Sequence, residues 1–144
     1  MQYLHTIYCD DIRTEVGNKL SLMGMYSSHL YVESFPATLP RLGCFATYCE
    51  DIDAPLQDGT LTLLLNGQEI VSSVSSAANQ KRSARDGVAP PIGRMKTFLI
   101  LLTPLQLEGP SLLEARMTIG ETSLQGTRLH IQAAPSPEAT PARG

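Results

Sequence analysis

The sequence predicts an all-β chain folded as an antiparallel β-sandwich of seven or eight strands, and three observations carry that prediction. Apolar residues alternate at period two through most of the chain, and no window longer than about ten residues shows a helical stripe. The runs are short and are punctuated by turn residues at Gly17-Asn18, Pro36 to Pro40, Asn66-Gly67 and Gly120-Glu121. Two of the hairpins, Thr60 to Val74 and Leu112 to Ile131, share a rhythm found in immunoglobulin-like and C2-like sandwiches. One domain is expected over 1–132. The Pro- and Ala-rich stretch 133–144 is expected to be disordered, because it offers almost nothing to bury.

The first element is a long N-terminal hairpin over about Tyr3 to Val32. A two-residue loop at Gly17-Asn18 would pair Val16 with Lys19 and mix polar and apolar residues on both faces. A three-residue loop over Val16-Gly17-Asn18 pairs Glu15 with Lys19 instead. It gathers Leu4, Tyr8, Ile12, Leu20, Leu22, Tyr26 and Leu30 on one face, which is the register expected where one face must be buried. The prolines of FPATLPR then break the ladder. Leu42 to Glu50 is the next strand, and residues 51–59 form a polar loop. In TLTLLLNGQEIVSSV, Asn66-Gly67 suits a type I′ turn with Leu63 opposite Ile70. Residues 77–93 are too rich in Pro, Gly and charge to pack. Met95 to Leu102 is apolar at both parities, which predicts a strand covered on both sides. Leu112 to Ile119 and Ser123 to Ile131 make the last hairpin.

The composition, 42% hydrophobic and 17% charged over 144 residues, is that of one globular domain. It is long enough to bury roughly 70% of its unfolded surface. The longest apolar run, Phe98 to Leu102, is far short of the roughly 18 residues that cross a bilayer, so no membrane association is expected. MQYLHTIYCDD has no basic n-region and no long apolar run of the secretory kind. The three cysteines, Cys9, Cys44 and Cys49, lack C-x-x-C spacing and are expected to be buried thiols. Histidines at 5, 29 and 130 show no metal-ligand spacing. Neither a metal nor a cofactor is expected.

Candidate functional residues concentrate in the opening hairpin. Asp11, Arg13 and Glu15 share a face at spacing two, and Lys19 joins them across the turn. This ladder of alternating sign either blocks edge pairing as a solvated face or forms a docking surface for a partner protein. Asp10 has the parity of Tyr8 and Ile12 and lies opposite Gly24. A carboxylate placed inward must accept hydrogen bonds, so Asp10 is expected to anchor on backbone N–H groups or a Tyr hydroxyl, with Gly17, Gly24 and Tyr26 as further structural anchors. Asp10 and Asp11 are adjacent on a strand and point apart, which disfavours an acid/base pair. Roughly 13 Å of strand separates Cys9 from His5, beyond nucleophile–base reach. Glu50, Asp51, Asp53 and Asp58 form an acidic stretch, expected to be a solvated loop rather than a Ca²⁺ site. Five cations against Asp86 give Ser76 to Lys96 a charge of +4, leaving −7 for the rest of the chain. Lys81, Arg82 and Arg85 are thus a candidate basic contact loop. No aromatic residue interleaves it, so nucleic acid is disfavoured.

CDDIRTEVGNKLSLMGMY resembles the opening of an uncharacterised bacterial and phage family, a domain of unknown function. Its members begin with a C-D-D-I-R-x-E-x-G-x-K-x-S-x-x-G-x-Y hairpin ahead of a β-sandwich body. The resemblance implies a phage or prophage setting and brings no activity. The expectation is therefore a non-enzymatic protein working through protein–protein contacts, with itself as a homo-oligomer among the candidate partners. A virion structural or accessory component is the first form of it. A small effector that binds a host protein is the second, and a metal-dependent or hydrolytic enzyme using Asp10 and Asp11 is the alternative of another class. Location is expected to be cytoplasmic, or virion-associated if the gene is a phage's.

Overall fold

The computed structural model describes residues 2–77 and 92–135. Twelve strands follow in order: β1 (Tyr3–Glu15), β2 (Lys19–Tyr26), β3 (His29–Val32), β4 (Ala37–Leu39), β5 (Leu42–Asp51), β6 (Gly59–Leu65), β7 (Gln68–Ser75), β8 (Gly93–Leu102), β9 (Leu105–Leu107), β10 (Ser111–Ile119), β11 (Thr122–Gln125) and β12 (Leu129–Ala133). They make a sandwich. One sheet runs β2-β1-β5-β8; the other runs β3-β12-β10-β6-β7, with β11 also paired to β10; β4 and β9 form a short ribbon. Lys81, Arg82 and Arg85, and residues 136–144 of the predicted tail, lie outside the described residues.

The core lies between the two sheets. Tyr8, Leu42, Cys44, Ala46, Tyr48, Phe98 and Ile100 from the first meet Leu61, Leu63, Leu113, Ala115, Met117, Leu129 and Ile131 from the second. Period-two alternation in β5, β8 and β10 supplies these side chains, since every second residue of a strand faces the same way. The hairpin β1–β2 takes the three-residue loop, with Glu15 opposite Lys19 and Ile12 opposite Leu22. Gly17 and Asn18 carry the positive φ angles, 86° and 58°, that close it. Asn66 and Gly67 are both at positive φ, 52° and 81°, as a type I′ turn demands.

Five expectations need correction. The hairpin ends at Tyr26, not Val32. After Ser27-Ser28 the chain changes sheets, and β3 pairs in parallel with β12, so Leu30 fills the core from the opposite side. The sandwich is therefore mixed, with one parallel seam. Leu63 pairs with Val71 rather than Ile70, because a bulge beside Leu63/Leu64 leaves Ile70 unpaired and exposed. The last hairpin is interrupted at Gly126 to Arg128, so β11 pairs with the end of β10 and β12 with its start. The sheet runs through Ala133, and the Ala134 N–H donates to the Val32 carbonyl at 2.7 Å. Finally, β8 is covered on one face only. Among the described residues no helix is long and apolar enough to cross a membrane.

Candidate interaction site

The uncovered face of β8 belongs to a larger surface. Four rows of register partners cross the outer side of the first sheet. Three are apolar: Tyr3–Cys49–Met95, Ile7–Phe45–Leu99, and Met25–Cys9–Gly43–Leu101. One is polar: His5–Thr47–Thr97. Met25 is 64% exposed, Met95 63%, Tyr3 51%, Leu99 47% and Leu101 42%, so large apolar side chains on both outer strands and on β1 face solvent. Isolated exposed apolar residues are ordinary, but a contiguous patch of this extent marks an interaction surface.

The hairpin extends that surface. β1 pairs with β5 only from Tyr3 to Cys9, whereas its pairing with β2 continues to Glu15, so the two strands project past the body as an arm. The arm is braced at its base. Tyr26 Oη donates to Asp10 Oδ1. Asp10 packs over Gly24, whose φ is 67°, and a Cβ there would come within 2.2 Å of Asp10 Oδ2. Burial and the neighbouring carboxylate push the Tyr26 hydroxyl up to about 12. Asp10 itself is exposed rather than buried, so its premise as an inward charge is corrected even though its Tyr partner is present. Strand parity also breaks at this level. An ideal Cβ on Gly43 would sit 3.0 Å from Ile12 Cγ1 and 3.1 Å from Cys9 Sγ, so Ile12 closes over the same side of the sheet as Cys9. The common face expected for Tyr8 and Ile12 therefore ends at Asp10, and Ile12, with its partner Leu22, continues the apolar outer side along the arm.

The charge ladder is tied to its own chain. Asp11 Oδ2 accepts from Arg13 Nε at 3.1 Å, while Oδ1 accepts from Arg41 Nη1 and from the Ile12 N–H, each at 2.9 Å. Arg13 and then Arg41 hold the Asp11 carboxyl below the usual carboxylate range. Arg41, absent from the sequence reading, ties the arm to the start of β5. Glu15 and Lys19 stand opposite each other, exposed, at the tip beside Val16.

A second cluster was misread from sequence. Glu50 is buried on β5, not part of a solvated acidic loop. Its carboxylate accepts from Arg94 Nε and from Tyr48 Oη, each at 3.0 Å. Arg94 also donates to the Ile52 and Ala54 carbonyls, and Lys96 Nζ donates to the Gln57 carbonyl at 2.9 Å. Arg94 and Lys96 therefore clamp the 52–57 loop from within and do not belong to a basic surface. Burial pulls the Lys96 ammonium below its ordinary range. Cys9 and Cys44 are buried thiols as expected, whereas Cys49 is half-buried on the outer face. Parallel pairing places His29 beside His130, with ring centroids 5.2 Å apart, a meeting of residues 101 positions apart that no local spacing signals. Among the described residues no three His, Cys, Asp or Glu side chains gather as a metal-binding group.

The fold and this surface define an all-β sandwich with a braced β-arm and a bare apolar sheet face. The chain belongs to DUF6941, a family of unknown function, whose profile matches residues 4–132. No curated protein and no solved structure matches the chain.

Proposed function

We propose that this chain is a non-enzymatic β-sandwich protein that works through protein–protein contacts, made on the outer face of the β2-β1-β5-β8 sheet and on the arm that continues it. The observation that supports this reading is the set of three apolar rows on the outer side of β1, β5 and β8, one of them reaching β2, with Tyr3, Met25, Met95, Leu99 and Leu101 exposed. The ladder of Asp11, Arg13, Glu15 and Lys19 takes a secondary part at the arm's end, because Asp11 is already held by Arg13 and Arg41. Asp10 and Asp11 both engage side chains of this chain, which favours bracing over catalysis.

Affinity purification with Leu99→Lys beside Arg13→Ala/Lys19→Ala tests it. Loss of the partner with Leu99→Lys, and retention with the double ladder variant, is the expected result. Retention with Leu99→Lys overturns the surface assigned. The sequence resemblance offers two settings for the contact, a virion component and a small host-directed effector. Recovery with particles marks the first, and a soluble complex with a host protein marks the second.

A further inference from the structure

We propose that Met25 and Met95 are an oxidation site, through which a peroxide turns the apolar face polar and releases what binds there. This rests on the contact reading above and adds its regulation.

Three observations carry it. First, this face holds the most exposed thioethers. Of the four methionines among the described residues, Met25 and Met95 are 64% and 63% exposed, Met23 is 45% exposed and Met117 is fully buried. Met25 and Met95 both lie on the outer side of the first sheet, whereas Met23 pairs with Asp11 on the other side of the arm. Secondly, the two stand at opposite corners of the face. Met25, on β2, ends the Met25–Cys9–Gly43–Leu101 row. Met95, on β8 at the other edge of the sheet, ends the Tyr3–Cys49–Met95 row. Thirdly, the thiols beside them are poorer targets. Cys9, opposite Met25, is fully buried; burial and then Asp10 push its thiol up, away from the reactive thiolate. Cys49, opposite Met95, is half-buried. A thioether has no proton to lose, so access by the oxidant decides.

The step uses hydrogen peroxide alone. A lone pair on Sδ attacks one peroxide oxygen, the S–O bond forms as the O–O bond breaks, and the second oxygen leaves as water with both hydrogens. Sulfur gives up the two electrons that the peroxide takes. The product is a dipolar sulfoxide, which resists burial without hydrogen bonds, where an apolar side chain stood before. Since Met25 and Met95 point to solvent, the fold is untouched, and Met117 is shielded inside the core.

The experiment treats the purified full chain with hydrogen peroxide, then with dithiothreitol to reverse thiol oxidation. Wild type, Met23→Leu and Met25→Leu/Met95→Leu are compared by peptide mass mapping, circular dichroism, hydrophobic-dye binding and affinity purification. Sulfoxide should appear at Met25 and Met95 roughly tenfold sooner than at Met117, with the circular dichroism unchanged. Dye binding should then fall about twofold in wild type and in Met23→Leu, and hold in Met25→Leu/Met95→Leu. Partner capture should follow the dye, and methionine sulfoxide reductase should restore both. The single variants Met25→Leu and Met95→Leu replace the double variant if it fails to fold, each keeping part of the response. Equal oxidation of Met117 overturns the assignment, and so does a full loss of dye binding in the Leu variants. If the untreated chain captures nothing that Leu99→Lys loses, the contact reading falls and takes the release with it. If capture is intact and sulfoxide at both residues leaves it unmoved, the contact stands and the switch alone falls.

Discussion

The two sheets share an interior but not an exterior. Outside the second sheet, β6 and β10 present Thr60 against Thr118 and Thr62 against Arg116, with Gln125 and Ser123 of β11 alongside. Glu114 there accepts from Gln125 and pairs with Arg128 at 3.4 Å. This side is polar along β6, β10 and β11, as a solvated sheet face ordinarily is, while Val74 on β7 and Tyr31 on β3 are exposed apolar residues scattered on it. Outside the first sheet, the equivalent positions are Ile7, Phe45, Leu99, Met25 and Leu101. Since both sheets bury the same kind of core, folding alone gives no reason for the difference. The contiguous apolar rows of the first sheet are the feature on which the proposed contact rests.

Six substitutions break or sharpen that contrast, beginning with the largest effect. Glu50→Ala removes the carboxylate that both Arg94 and Tyr48 address, leaving buried cations without it. A loss of about 3–5 kcal/mol in denaturant unfolding is expected; a loss near zero would mean that this end of the first sheet is solvated after all. Gly24→Ala and Gly67→Ala come next, one in each sheet's hairpin. Both glycines have positive φ, 67° and 81°, but only Gly24 has a neighbour, Asp10, in the way of a Cβ. We expect about 1 kcal/mol at Gly67 from backbone strain and about 2–3 kcal/mol at Gly24. Equal losses would remove the case for the Asp10 brace.

Tyr26→Phe should cost about 1 kcal/mol near neutral pH by deleting the bond to Asp10. Its pH dependence has a definite sign. The folded hydroxyl stays protonated to about 12, above the ordinary 10.0, so its contribution is complete below pH 10.0 and is lost as pH rises towards about 12. Tyr48, also raised to about 12, adds to the same alkaline loss and remains in the variant, so Tyr26→Phe should shrink that loss rather than abolish it. An unchanged alkaline unfolding profile would detach Tyr26 from the brace. Smallest in stability is the pair Leu99→Lys and Thr62→Lys, one on each outer face, each within about 0.5–1 kcal/mol. Only Leu99→Lys should lower binding of a hydrophobic dye; matched changes would erase the difference between the faces.

What the sequence reveals and what it hides divides along sequence distance. Asn66-Gly67 and the Glu15–Lys19 register are local, set by turn chemistry and by alternation within one hairpin, and both are present. The change of sheet after Tyr26 is not local. Leu30 continues the apolar parity of the hairpin, so nothing in the pattern distinguishes a strand that goes on from one that crosses over. Glu50 reads as part of an acidic run until Arg94, 44 residues on, is laid beside it. Met95 to Leu102 reads as doubly buried because apolar residues stand at both parities, yet only one parity faces the core and Met95, Leu99 and Leu101 are exposed. The parity break at Asp10 is hidden for a different reason. It needs Gly24 in a left-handed conformation opposite, and a glycine in a strand is compatible with several other geometries.

The parallel seam between β3 and β12 bears on when the molecule can fold. β12 is the last strand among the described residues, yet it sits between β3 and β10, donating Leu129 and Ile131 to the core. Until residues 129–133 are available, β3 has no sheet neighbour and the first half of β10 has an open side. The second sheet therefore cannot be completed before residues 129–133 have been made. That pairing closes a loop of about a hundred residues, the non-local step that places all-β domains among the millisecond-to-second folders. During that interval the part of the core that Leu30, Leu129 and Ile131 fill stays open.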